Sequence, residues 1–345
     1  MESMQYLVFA LQGLGDALEA TPLIDALRRA EPDATIDVAV SRGGPAQLFR
    51  ELDAYVQRVI ELPYWDRGPL AFARAMIGNA RRRRYDASFM TYPAAKPVYG
   101  LVAAAFSAKR RIGHRYQRPT PQSGLRAYSD LVGVRTAHNV DRNLDLLAPL
   151  GIARPAEPRY LVPSHWRSRR PRRHGSITIH AGTIAHDGFE HKRWPLAYFA
   201  EFARYMLSAG HGVTLLAGPD EVEETRELAG LATGAQTFSG PLEEAARHLS
   251  EAALIVTNDS GIGHLGAALG TPVLALFGPT PTSGSPFGEA SVALRLSDCP
   301  PCFDPLARGI TCIRDIDYRC LRRDLPVEAV IERALTILER DAIGA

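Results

Sequence analysis

Residues 254–280 (LIVTNDSGIGHLGAALGTPVLALFGPT) leave little choice about what surrounds them. Two apolar runs, Leu254 to Val256 and Val273 to Phe277, bracket a small-residue segment from Leu265 to Leu269. That order reads as strand, glycine-rich turn, helix, strand. Ser260-Gly261-Ile262-Gly263 falls where the strand gives way to the helix. Its glycines allow a ligand close to the backbone, and the unpaired N–H groups of the first helical turn face outward. Such a turn attracts anions and suits a diphosphate. Asp259 adds an acceptor and His264 a donor at the same mouth, so the stretch predicts a phosphate-bearing ligand with hydroxyls nearby.

The same alternation runs through the chain. Strands are expected at Tyr6 to Leu11, Ile36 to Val40, Val56 to Leu62, Ala87 to Thr91 and Arg111 to His114, with helices between them. The Gly13-x-Gly15-Asp16 turn opens the first helix. Leu18 stands where a dinucleotide fingerprint needs a third Gly or Ala, so a dehydrogenase is discounted. Residues Arg115 to Ala137 are polar and proline-bearing and read as an irregular loop. A second strand and helix series starts at Ser176 to His180. Alternation of this kind predicts α/β architecture with parallel, doubly wound sheets, and two successive series fit the two-Rossmann arrangement called GT-B. The expected divisions are a first Rossmann-like domain over 1–155, a linker over 156–174, a nucleotide-binding Rossmann-like domain over 175–325 and a helix over 326–345. In GT-B enzymes such a helix often crosses back to the first domain.

Three ordered motifs carry a resemblance. Asn258 to His264, followed by Ala267 to Pro272 and Phe277 to Pro279, resembles the nucleotide-sugar motif of the glycosyltransferase family 9 heptosyltransferases. Gly13-Leu-Gly-Asp-Ala-Leu-Glu-Ala-Thr-Pro22 is similar to the acceptor-side motif of that family, and Lys192-Arg-Trp-Pro195 to its mid-chain lysine motif. The resemblance implies an inverting transfer of a sugar, heptose from ADP-heptose first of all, to a glycolipid or other glycan acceptor. It implies Asp16 as general base, Lys192 as the group that offsets charge on the departing diphosphate, and Asp259 as partner of sugar hydroxyls. Ser260, Gly261, Gly263 and His264 form the expected phosphate cradle, Gly278 allows close approach, and Gly13 and Gly15 shape the acceptor-side loop. Taken alone, Asp16 also suits a helix N-cap and Lys192 an ordinary surface position. A nucleotide-sugar epimerase and a non-catalytic nucleotide-sugar binder are the alternative functions.

All four cysteines lie in one segment, Cys299, Cys302, Cys312 and Cys320. That clustering suggests a structural zinc or iron site, with reduced thiols as the plain alternative; catalysis requires no cofactor on this reading. Net charge is +2, which gives no global field for nucleic acid. Arginines cluster at 81–84, 109–111 and 167–174, either as solvated surface or as a face for an acidic acceptor or anionic membrane. The first apolar run leads straight into the glycine turn and reads as a strand, not a signal peptide. The expected location is cytoplasmic, with peripheral attachment at the inner membrane.

Overall fold

The computed structural model describes residues 3–41, 43–79, 83–116, 127–183, 188–304 and 309–344. The chain divides into two compact units between Pro163 and Ser164. The first contains β1 (Gln5–Ala10), α1 (Leu14–Ala30), β2 (Thr35–Val40), α2 (Gly43–Arg50), β3 (Arg58–Glu61), α3 (Tyr64–Asn79), β4 (Tyr85–Met90), α4 (Pro97–Ala105), β5 (Ala108–Arg115), β6 (Asp130–Gly133) and α5 (Asn139–Asp145). The second contains β7 (Arg173–His180), α6 (Leu196–Ser208), β8 (Gly212–Ala217), α7 (Val222–Leu231), β9 (Gln236–Ser239), α8 (Leu242–Ser250), β10 (Ala252–Asn258), α9 (Gly261–Ala268), β11 (Val273–Leu276), β12 (Ser291–Leu294), α10 (Arg319–Arg322) and α11 (Val327–Gly344).

Among the described residues each unit holds a six-stranded sheet, ordered β3-β2-β1-β4-β5-β6 in the first and β12-β11-β10-β7-β8-β9 in the second. All pairings are parallel. Each sheet is therefore doubly wound, and its strand order reverses beside its first strand: between β1 and β4, and between β7 and β10. These two reversals are where such sheets open a crevice at the carboxyl ends of their strands.

The continuous apolar strands follow from burial on both faces. Every residue of β10 is buried, with α8, α9 and α11 packed against it. Val327, Val330, Ala334, Ile337 and Leu338 of α11 recur at helical spacing and join Phe199, Phe202, Ala203 and Met206 of α6 in one core. Each fully buried Leu or Phe of this kind contributes roughly 1.5–3 kcal/mol. Three strands escape a search for apolar runs: β6, β9 and β12. They are edge strands of four residues, mostly half-buried or exposed, each opening on a polar residue and none with more than three apolar residues in a row. The segment expected as an irregular loop over Arg115 to Ala137 thus contains β6; its residues 117–126 lie outside the described ones.

Candidate active site

The second unit gathers the expected donor residues around its sheet reversal. β7 ends at His180 and β10 at Asn258, and Thr257 is the register partner of His180. Asn258 is fully buried and fastens the next segment: its Oδ1 accepts the Trp194 N–H (2.8 Å), and its Nδ2 donates to the Ala181 carbonyl. The indole of Trp194 donates to Leu325 O at 2.9 Å. This anchoring sets the place of Lys192, two residues earlier. Its ammonium lies 3.1 Å from Asp259 Oδ2 and 5.5 Å from the centre of the Phe189 ring. Both side chains of the pair are about six-sevenths buried, with 15% and 14% exposure. A cation and a carboxylate 67 residues apart thus meet beside the start of α9. Arg193 turns away and is held by Glu224 (2.6 Å) and by the hydroxyl and carbonyl of Thr183.

Ser260 is the N-cap of α9 by backbone conformation, yet its hydroxyl does not cap the helix. It turns to Thr257 Oγ1 (2.8 Å) and His180 Nδ1 (3.3 Å). The first-turn amides at Gly261 and Ile262 therefore have no side-chain cap, as an anion-binding turn requires. Gly263 and His264 are buried. A Cβ on Gly263 would sit 3.0 Å from Thr257 Cγ2 and 3.1 Å from Pro286 Cγ, so this glycine serves helix-to-strand packing. Gly278 has a packing reason to lack a side chain. A Cβ there would come 2.4 Å from Leu321 Cγ and 3.1 Å from Cys320 Sγ.

Three further residues meet at this reversal, outside the motifs: His180, Gly182 and Glu221. His180 is buried; its Nε2 donates to Glu221 Oε2 at 2.9 Å, and its Nδ1 lies 3.3 Å from the hydroxyls of both Ser260 and Thr257. Glu221 also accepts the Gly218 N–H at 2.8 Å. Burial alone would raise the Glu221 carboxyl; the bond and charge of His180 and the Gly218 amide outweigh it and hold the group below the usual carboxylate value. Gly182 makes the room, because a Cβ on it would fall 1.8 Å from Glu221 Oε1. The local sequence signal for them is His180-Ala181-Gly182 at the end of β7.

In the first unit the other expected residues lie at the corresponding reversal. α1 begins at Leu14 with Gly13 as its N-cap, so Asp16 occupies the third helical position and not the cap. Its Oδ2 accepts the Gly13 N–H at 3.2 Å. The carboxylate is half-buried and held by the turn made by Gly13 and Gly15, at the end of β1. A negative group in the first helical turn is favoured by the helix dipole.

The four cysteines are free thiols; Cys299 and Cys320 are buried. Burial and the neighbouring Cys302 raise the Cys320 thiol to about 11. Cys312 behaves oppositely: burial raises it, but the backbone amides of Ile316, Tyr318, Arg314 and Asp315 turned toward its sulfur hold it below the usual thiol value. That loop runs through three left-handed residues, Asp315, Asp317 and Tyr318, with φ of 51°, 48° and 51°. Among the described residues, no three of the four sulfurs lie within 4.8 Å of one another.

Two doubly wound parallel sheets in succession, each with its own strand-order reversal, make up the GT-B fold class. The sequence matches glycosyltransferase family 9 (heptosyltransferase) over residues 82–306, and the chain belongs to that family. Lipopolysaccharide heptosyltransferase 1 of Pseudomonas aeruginosa is 29% identical over 341 residues, 87% of this chain and 86% of the relative. Lipopolysaccharide heptosyltransferase 1 of Escherichia coli K12 is 25% identical over 291 residues, 80% of this chain and 88% of the relative. Among solved structures, the E. coli heptosyltransferase WaaC with ADP-2-deoxy-2-fluoro heptose superposes with a TM-score of 0.73 at 21% identity, covering 96% of this chain and 99% of that one. The family match favours neither the epimerase nor the non-catalytic alternative.

Proposed function

We propose that this glycosyltransferase moves a heptose from ADP-heptose to a hydroxyl of a lipopolysaccharide-core acceptor, with inversion at the anomeric carbon. The observation that carries the reading is the Lys192–Asp259 pair, 3.1 Å apart, at the uncapped start of α9. The relatives named as lipopolysaccharide heptosyltransferases support the sugar and the acceptor class. On this reading the amides of Gly261 and Ile262 and the Lys192 ammonium hold the diphosphate, and Asp259 accepts from hydroxyls of the sugar. The acceptor oxygen attacks the anomeric carbon, the bond from that carbon to the β-phosphate oxygen breaks, and ADP leaves with the bonding pair. Asp16 takes the acceptor proton as the new bond forms. Lys192 offsets the charge that builds on the leaving group, which is worth most in the transition state.

General-base assistance of this kind contributes about 10²–10⁴-fold. Asp16→Ala is therefore expected to lower kcat by that order in an ADP-release assay with ADP-heptose and a deacylated core acceptor, while ADP still binds. Full turnover by the variant would remove Asp16 from the chemistry.

The same reading makes the protein cytoplasmic, attached peripherally at the inner membrane. It assigns the cysteine segment a structural ion, zinc or iron, with no step of the transfer passing through it. Four thiols within 22 residues, one of them ringed by backbone amides, have the donor chemistry for such an ion, although binding would have to draw the sulfurs together. Metal content of the purified chain, compared with Cys299→Ser/Cys302→Ser, is the check. About one equivalent lost in the variant supports the ion, and its absence from both removes it.

A further inference from the structure

The first unit carries an apolar surface that its own core does not use. α3 and α4 cover one core: Phe72, Ala75 and Met76 of α3 pack with Tyr99, Val102 and Ala103 of α4. Their outward sides are apolar as well. Leu70 is 79% exposed and Ile77 82%, one above the other at seven residues' spacing on α3 after its break at Gly68. On α4, Leu101 is 63% exposed and Val98 42%, and Pro97 and Ala104 complete an exposed stripe. The helix contains no charged residue. Large apolar side chains grouped in this way on the surface mark a contact with something else.

Charge identifies the partner. Residues 67–115 contain eleven Lys and Arg against one acid, Asp86, in a chain whose net charge is +2. Three of these cations are already paired, Lys109 with Asp86 at 2.7 Å, Arg83 with Asp37 of β2 at 3.2 Å and Arg110 with Asp130 of β6. Arg74 stands on the exposed side of α3 and Lys96 immediately before α4, and neither has an ion-pair partner among the described residues. Apolar residues that enter the boundary of a bilayer, accompanied by Lys and Arg that meet its headgroups, are the features of an interfacial helix. A second copy of the chain docked by the same face would bring like charges together, which opposes that occupant. Among the described residues no helix is long and apolar enough to cross a membrane, so the contact is with its surface.

We infer that the exposed face of α3 and α4 docks on an anionic lipid surface, Leu70, Ile77, Val98 and Leu101 entering the interface while Arg74 and Lys96 meet acidic headgroups. This rests on the proposed transfer to a lipid-borne acceptor in naming the surface, and on the face itself for the residues.

The test uses the full chain with vesicles of phosphatidylethanolamine and phosphatidylglycerol, and with phosphatidylcholine vesicles as the neutral control. Wild type is expected to sediment with the anionic vesicles only, and to be partly released by about 0.5 M salt, where screening shortens the reach of charge. Leu70→Glu/Ile77→Glu/Leu101→Glu is expected to lower the bound fraction about tenfold, and Arg74→Glu/Lys96→Glu to do so at low salt. Both variants should keep the wild-type melting shift with ADP, which shows that they are folded. Failure of wild type to bind anionic vesicles, or equal binding by the triple variant, overturns the inference. So does concentration-dependent self-association that the triple variant abolishes without any vesicle binding. Absence of the ADP shift in wild type would instead count against the transferase reading and leave the vesicle result standing.

Discussion

Single residues set the pH response of the first unit. His114 lies on β5, buried, with Nε2 against the Arg142 carbonyl at 3.0 Å and its ring edge-on to Tyr92. Burial lowers its imidazole from 6.5 to about 4, against smaller opposing effects of the Arg142 carbonyl and Asp145. The ring is neutral in the fold and takes up a proton more readily once unfolded. Its stabilising effect is therefore fully present above pH 6.5 and is lost as pH falls toward 4, by about 3 kcal/mol. Urea denaturation across that range should show the decline in wild type and a flatter profile in His114→Gln. An unchanged slope would mean that the ring does not titrate as its burial demands. At the donor site, Lys192→Ala should leave Asp259 without its partner. Loss of charge stabilisation for the leaving diphosphate is expected to reduce kcat by about 10²-fold or more, measured by single-turnover ADP release.

At the scale of elements, the glycines of the second unit act through what lies against them. Gly182 follows β7 and leaves space for a carboxylate from the turn before α7. Gly182→Ala should push Glu221 from His180, separating groups that now meet at 2.9 Å. A buried carboxylate and imidazole that lose each other cost about 1–3 kcal/mol. The variant should melt lower than wild type, and Glu221→Gln, which keeps the shape and a hydrogen bond, should melt between the two. A Gly182→Ala protein of unchanged stability would show that the side chain can move aside at no cost. The glycine-rich turn before α9 announces itself because both the turn and the helix are local. Gly278 does not, since its neighbour Leu321 belongs to α10, 43 residues later.

Across the whole molecule, nucleotide binding should be visible as stability. A ligand that binds only the folded chain contributes about 2.7 kcal/mol at one hundred times its Kd. ADP is expected to raise the melting temperature of wild type and to do so less in Asp259→Ala or Lys192→Ala; a shift equal in all three would detach this pair from the donor. The amino-acid order by itself determined the alternation of strand and helix, the two successive α/β series and the placing of Asp259 and Ser260 at a strand-to-helix turn. These depend on periodicity and turn chemistry within a few residues. Tertiary structure alone decided that Lys192 reaches Asp259, that His180 reaches Glu221 41 residues away, and that short edge strands complete both sheets. It also decided which apolar residues of α3 and α4 enter the core and which stay outside. The physical reason is the same in each case: parallel strand order brings distant segments together, and no local pattern along the chain encodes which neighbour a side chain will meet.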